Sequence, residues 1–147
     1  MPSQRETPSI PDLPRSIEPA TLLIAPAGRS QESLRVLLSA YSLKVIGAVA
    51  ESRSALALAQ EWRPALVVLD FGLPGDEAST ILKRFQVEWP TSRCLALVAT
   101  MEQSAEASAG GAQEVLLKGF RIEELYAAIN RLLINPLDEP KRRLNRP

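Results

Sequence analysis

Histidine is absent from this chain. That excludes Ser–His and Cys–His nucleophile pairs, histidine-ligated zinc and any phosphohistidine relay on the chain itself. Cysteine occurs once, at Cys94. One thiol closes no internal disulfide and builds no Cys-rich metal site. Neither sign of charge dominates, because 17 Lys and Arg face 17 Asp and Glu. This speaks against a strongly basic nucleic-acid binder and against an acidic disordered chain. No apolar run approaches the roughly 18 residues of a membrane span. The first nineteen residues hold no hydrophobic signal region. A cytoplasmic location without membrane contact is the expectation.

What is present suits one domain. The 147 residues are 46% hydrophobic, enough for a real core. Of 12 prolines, five fall in residues 1–19 and three in residues 136–147. The reading is therefore a Pro-rich flexible segment over 1–20, a folded domain over 21–134, and a polar basic tail over 135–147. The tail carries four basic and two acidic residues and reads as solvated chain or a linker.

Between the ends, short apolar runs alternate with helical patterns. The strand candidates are 21–25, 44–50, 65–69, 94–99 and 114–117. The run ALVVL at 65–69 is apolar throughout, as a central parallel strand should be. Helices are expected over 30–41, 52–62, 76–88, 102–109 and 121–134. Ser30 and Ser52 stand where N-caps are expected. Leu34, Leu37, Leu38 and Tyr41 share one face of the first helix, and Ile81, Leu82 and Phe85 one face of the third. Strand and helix alternate five times. The fold class is α/β, with a doubly wound five-stranded parallel sheet and helices on both faces. The flavodoxin-like order 2-1-3-4-5 is expected, with function at the carboxyl ends of the strands.

Those strand ends carry Ala25-Pro26, Asp70, Thr100 and Lys118. One carboxylate, one hydroxyl and one ammonium therefore converge on one edge. A carboxylate walled by apolar residues can act as a phosphoryl-accepting nucleophile. A lysine can hold a phosphoryl oxygen as a point charge.

The segments LVVLDFGLPGDEA (66–78), LALVAT (95–100) and EVLLKG (114–119), with the first helix through the second helix, stand in a telling order. In that order and spacing the chain resembles the receiver domain of two-component response regulators, over residues 21–134. The resemblance implies Asp70 as phosphoacceptor, Thr100 and Lys118 as phosphate contacts, and Val115 at the switch position. It implies a signalling module in a phosphorelay, not an enzyme, whose partner is a sensor kinase or a downstream signalling protein.

The chain also departs from that pattern. The family's acidic metal-binding pair at the end of strand 1 is replaced by Ala25 and Pro26, neither of whose side chains can ligate a metal. The oxygen donors left for Mg²⁺ are the Asp70 carboxylate and the Gly72 backbone carbonyl, so Mg²⁺ is expected to be weakly held or absent. Asp76 and Glu77 could substitute, but read better as the negative start of the third helix. Val115 replaces the family's switch aromatic. The stretch from Thr100 to Lys118 is about four residues short, about one helical turn, with Gly110-Gly111 ending the fourth helix early. Gly119 follows Lys118 where proline is common.

These departures point to an atypical receiver acting by protein–protein interaction, with weak or absent Mg²⁺-dependent phosphorylation at Asp70. Asp70 and Lys118 are expected to pair directly. No nucleic acid is expected to bind through this domain, and the state expected is a monomer or weak homodimer. A conventional phospho-accepting regulator, a receiver piece of a longer DNA-binding regulator, and a small enzyme using Asp70, Lys118 and Thr100 stay open at this point. Cys94 reads as a buried structural residue, and Trp62 and Trp89 as residues packed at helix ends.

Overall fold

The structure is a computed structural model and describes residues 18–134. The expected N-terminal segment, apart from 18–20, and the basic tail lie outside the described residues. Five strands alternate with five helices. They are β1 (Ala20–Ile24), α1 (Arg29–Ala40), β2 (Lys44–Val49), α2 (Ser52–Trp62), β3 (Leu66–Asp70), α3 (Glu77–Glu88), β4 (Arg93–Val98), α4 (Met101–Ala109), β5 (Glu114–Leu117) and α5 (Ile122–Ile134). The strands are all parallel, in the order β2-β1-β3-β4-β5. The expected flavodoxin-like order is the observed one.

Alternation along each strand builds two apolar layers. One joins Leu22, Ile24, Val67, Leu69, Ala96 and Val98 to Ala55, Ala59, Ile81, Leu82 and Phe85 from α2 and α3. The other joins Leu23, Val68, Leu95 and Leu97 to Leu34 and Leu38 of α1 and to Leu125, Ala128 and Ile129 of α5. β3 is buried at every position, its four apolar residues and the closing Asp70 alike. Tyr41 and Tyr126 stack with centroids 4.1 Å apart, and the Tyr126 hydroxyl donates to the Leu37 carbonyl at 2.9 Å. That pair ties α1 to α5 across the sheet's far face.

Two expected caps are corrected. α1 begins one residue earlier than expected, with Gly28 at the N-cap, and Ser30 lies inside its first turn. α2 begins at Ser52 with Glu51 at its N-cap, and no side chain of α2's own start caps it. The Ser52 N–H instead donates to Glu77 Oε2 at 3.0 Å. A carboxylate from another helix thus satisfies a donor that local sequence leaves open. α4, with nine residues, is the shortest helix among the described residues. It ends at Gly110 and then Gly111, whose φ is +105°; a Cβ there would also lie 2.8 Å from the Gln86 side chain.

Candidate functional site

Asp70 closes β3 and is 3% exposed. The β-ladder continues past it, with the Phe71 N–H donating to the Leu97 carbonyl at 2.8 Å. On the other side of β4, the Lys118 N–H donates to the Val98 carbonyl at 2.7 Å, which fixes the lysine's backbone just beyond β5. Two strand spacings, about 9–10 Å, separate β3 from β5. The lysine stem crosses the end of β4, and Lys118 Nζ reaches Asp70 Oδ1 at 2.7 Å. The same oxygen accepts the Gly72 N–H at 2.7 Å. Asp70 and Lys118 thus pair directly.

Gly72 is part of this clasp. A Cβ on it would lie 3.0 Å from Asp70 Oδ1 and 3.1 Å from Lys118 Nζ. A side chain there would have to push the flexible end of Lys118 or the Asp70 carboxylate aside by a few tenths of an ångström.

Asp70 and Lys118 line a cavity of about 310 Å³. Arg29 and Ser33 of α1 line it too, with Leu34, Leu97 and Phe120 as apolar wall. Among the described residues, Asp70 is the one carboxylate lining this cavity. Ala25 and Pro26 offer no side-chain oxygen, and the Ala25 carbonyl already accepts from the Gln31 amide at 2.8 Å. Glu77 is committed to the start of α2, and Asp76 lines a separate cavity with Ser79, Lys83 and Glu106. Among the described residues, no three His, Cys, Asp or Glu side chains gather as a metal cluster.

Thr100 is placed differently from Asp70 and Lys118. It is the N-cap of α4, and its hydroxyl oxygen accepts the Gln103 N–H at 3.1 Å. Leu95 and Leu97 face the α1 and α5 layer, whereas Ala96 and Val98 face the other. Val115 sits half-buried against the α2–α3 layer, beside Ala96.

Gln103 is a residue that the sequence reading missed. Its Oε1 accepts the Ala99 N–H at 2.7 Å and its Nε2 donates to the Phe71 carbonyl at 3.2 Å. One amide thereby ties the loop after β4 to the loop after β3. The signal was present, since Thr100 followed three residues later by Gln103 is a capping-box pattern. Arg29 was missed as well, and no local pattern marks it.

Comparison with known proteins agrees with this geometry. The model of the response regulator receiver domain family matches residues 27–130. The two-component response regulator PhoP of Pseudomonas aeruginosa is 32% identical over 91 residues, covering 60% of this chain and 40% of PhoP. The match therefore spans well under half of PhoP's length. The signal receiver domain of an HD domain-containing protein from Pseudomonas fluorescens superposes with a TM-score of 0.74 at 23% identity, covering 84% of this chain and all of that one. A response regulator from Thermotoga maritima gives a TM-score of 0.70 at 19% identity, covering 80% and 99% of the two chains. Both structures share the fold. With the family model spanning most of the described residues and the strand-end carboxylate and lysine in place, this chain belongs to the response regulator receiver domain family, whose members are signalling proteins and not enzymes.

Proposed function

We propose that this receiver domain is an atypical member that signals by protein–protein contact, with Mg²⁺-dependent phosphorylation of Asp70 weak or absent. Receiver domains generally use Mg²⁺ for phosphorylation. The observation that carries the proposal is the Asp70–Lys118 clasp at 2.7 Å beside a strand end, Ala25-Pro26, that offers no second carboxylate. Without a bound divalent cation, the negative charge of an incoming phosphoryl group lacks its usual neutraliser. Lys118 alone already serves the Asp70 carboxylate. Val115 in place of an aromatic removes the ring through which phosphate occupancy is read, because a β-branched side chain is stiff. The shortened α4 changes the surface on which partners dock. A sensor kinase or a downstream signalling protein is the partner, met by a monomer or weak homodimer, with no nucleic acid bound through this domain.

Intact mass after incubation with a small phosphodonor and Mg²⁺, beside Asp70→Asn, tests the proposal. The expected result is no phosphoryl adduct on the folded protein. An adduct present in the native chain and missing from Asp70→Asn would restore the conventional phospho-accepting reading.

A further inference from the structure

The cavity beside Asp70 has a charge balance opposite to that of a divalent-cation site. Its charged groups are Asp70, Lys118 and Arg29, one negative and two positive. Arg29 begins α1 and has no ion pair among the described residues, while Lys118 is tied to Asp70. Three carboxylates and a lysine would draw in a dication. One carboxylate with two cations repels a dication and attracts an anion, by the sign of the interaction alone. The guanidinium is always protonated and offers paired N–H donors that match an oxyanion. Ser33 adds a hydroxyl on the same helix, one turn further along.

The rest of the wall is apolar. Leu34, Leu37, Leu97 and Phe120 face the same space. At about 310 Å³ the cavity lies at the lower end of the range for small-ligand sites, which combine apolar walls with a few charged groups. It holds far more than the one water that needs about 30 Å³ of liquid.

We propose that this cavity binds a phosphate monoester, or phosphate itself, noncovalently and without a divalent cation, with Arg29 supplying the positive charge that draws the anion in. The inference deepens the reading of Asp70's site given above and rests on it. The phosphate group sits between Arg29 and Lys118, and the ester's organic part lies against Leu34, Leu97 and Phe120. No bond to Asp70 forms, so occupancy is reversible and set by ligand concentration.

The test is calorimetric titration of the whole chain, in EDTA, with inorganic phosphate and separately with phenyl phosphate. Saturable binding of both is expected, with phenyl phosphate the tighter because its ring meets the apolar wall. Arg29→Gln is expected to weaken both by about tenfold or more, the usual scale for a charged hydrogen bond. Arg53→Gln, an exposed arginine on α2, is expected to bind as the native chain does. Both positions are exposed, so neither variant is expected to threaten folding. No saturable binding would overturn the inference, as would equal loss in both variants or none in Arg29→Gln. Phenyl phosphate binding no tighter than phosphate would overturn the placement in this cavity. Binding that appears only with Mg²⁺ would overturn it too. The mass measurement keeps the two proposals apart. A Mg²⁺-dependent adduct on Asp70 sinks the functional reading, whereas no adduct and no phosphate binding sinks only this one.

Discussion

Asp70 and Lys118 are unequal partners. The carboxylate side chain is 5% exposed and the lysine side chain 41%. Removing the lysine strands a carboxylate in a nearly dry place, while removing the carboxylate's charge leaves an ammonium that water can reach. Lys118→Met is therefore expected to destabilise the fold by about 1–3 kcal/mol, and Asp70→Asn by less, since an amide oxygen still accepts the Gly72 N–H. Urea unfolding of the two variants checks the order; a costlier Asp70→Asn would contradict the clasp. Cys94 gives a second test at this scale. Burial pushes its thiol up to about 12. The native thiol is expected to resist a thiol reagent at pH 8 and to react at the rate of global unfolding. Because the folded value is raised, the contribution of Cys94 is fully present below the ordinary thiol range near 8.5. It is lost as pH climbs toward about 12.

Among the helices of the described residues, α4 is the shortest. It has nine residues and one fully buried side chain, Ala107. Helices this short are marginal on their own, so the cap and the packing decide. Thr100 supplies the cap through Gln103, and Gly111 the turn that ends it. Thr100→Ala is expected to cost about 0.5–2 kcal/mol and Thr100→Ser little. Faster amide exchange confined to α4 in Thr100→Ala is the accompanying measurement; unchanged protection there would show that the cap contributes nothing. Residues 102–109 were legible as a helix, but the job of Thr100 was not. Thr100 lies two residues past the end of β4 and one before the start of α4, and only the turn of the chain after Val98 decides which role its hydroxyl takes. Ser30 and Ser52 show the same ambiguity. A serine near a helix start suits a cap, yet the start shifts by a residue when Gly28 or Glu51 takes the non-helical position.

For the molecule as a whole, one sheet separates two apolar layers, and each layer holds fully buried side chains. Phe85 is fully buried and packs against Trp89 with centroids 5.1 Å apart. Phe85→Ala is expected to cost about 3–5 kcal/mol in chemical unfolding. The lack of histidine has a global consequence. No side chain with an ordinary pKa between pH 6 and 8 exists to change charge on unfolding. The thermal midpoint is expected to stay level across that window. A drift beyond about 4 °C, roughly 1 kcal/mol for a chain this size, would mean that some group titrates there in one state only. The surface pairs Glu32–Arg35 and Arg84–Glu88 are exposed and add little to this balance.

Composition and pattern alone determined the architecture. Strands in wholly apolar runs must be covered on both faces, and helices with one apolar face can cover them, so five alternations leave a parallel doubly wound sheet. The same reasoning located Asp70 and Lys118, because the last residue of an apolar strand has nowhere to point but the sheet edge. Tertiary structure alone decided which neighbours those residues have. Gln103 reaches the Phe71 carbonyl across 32 residues of chain. Glu77 caps a helix 25 residues before it. Arg29 joins Asp70's cavity from α1. Such partnerships depend on how far helices sit over strand ends, a distance set by the packing of whole layers that no local spacing encodes.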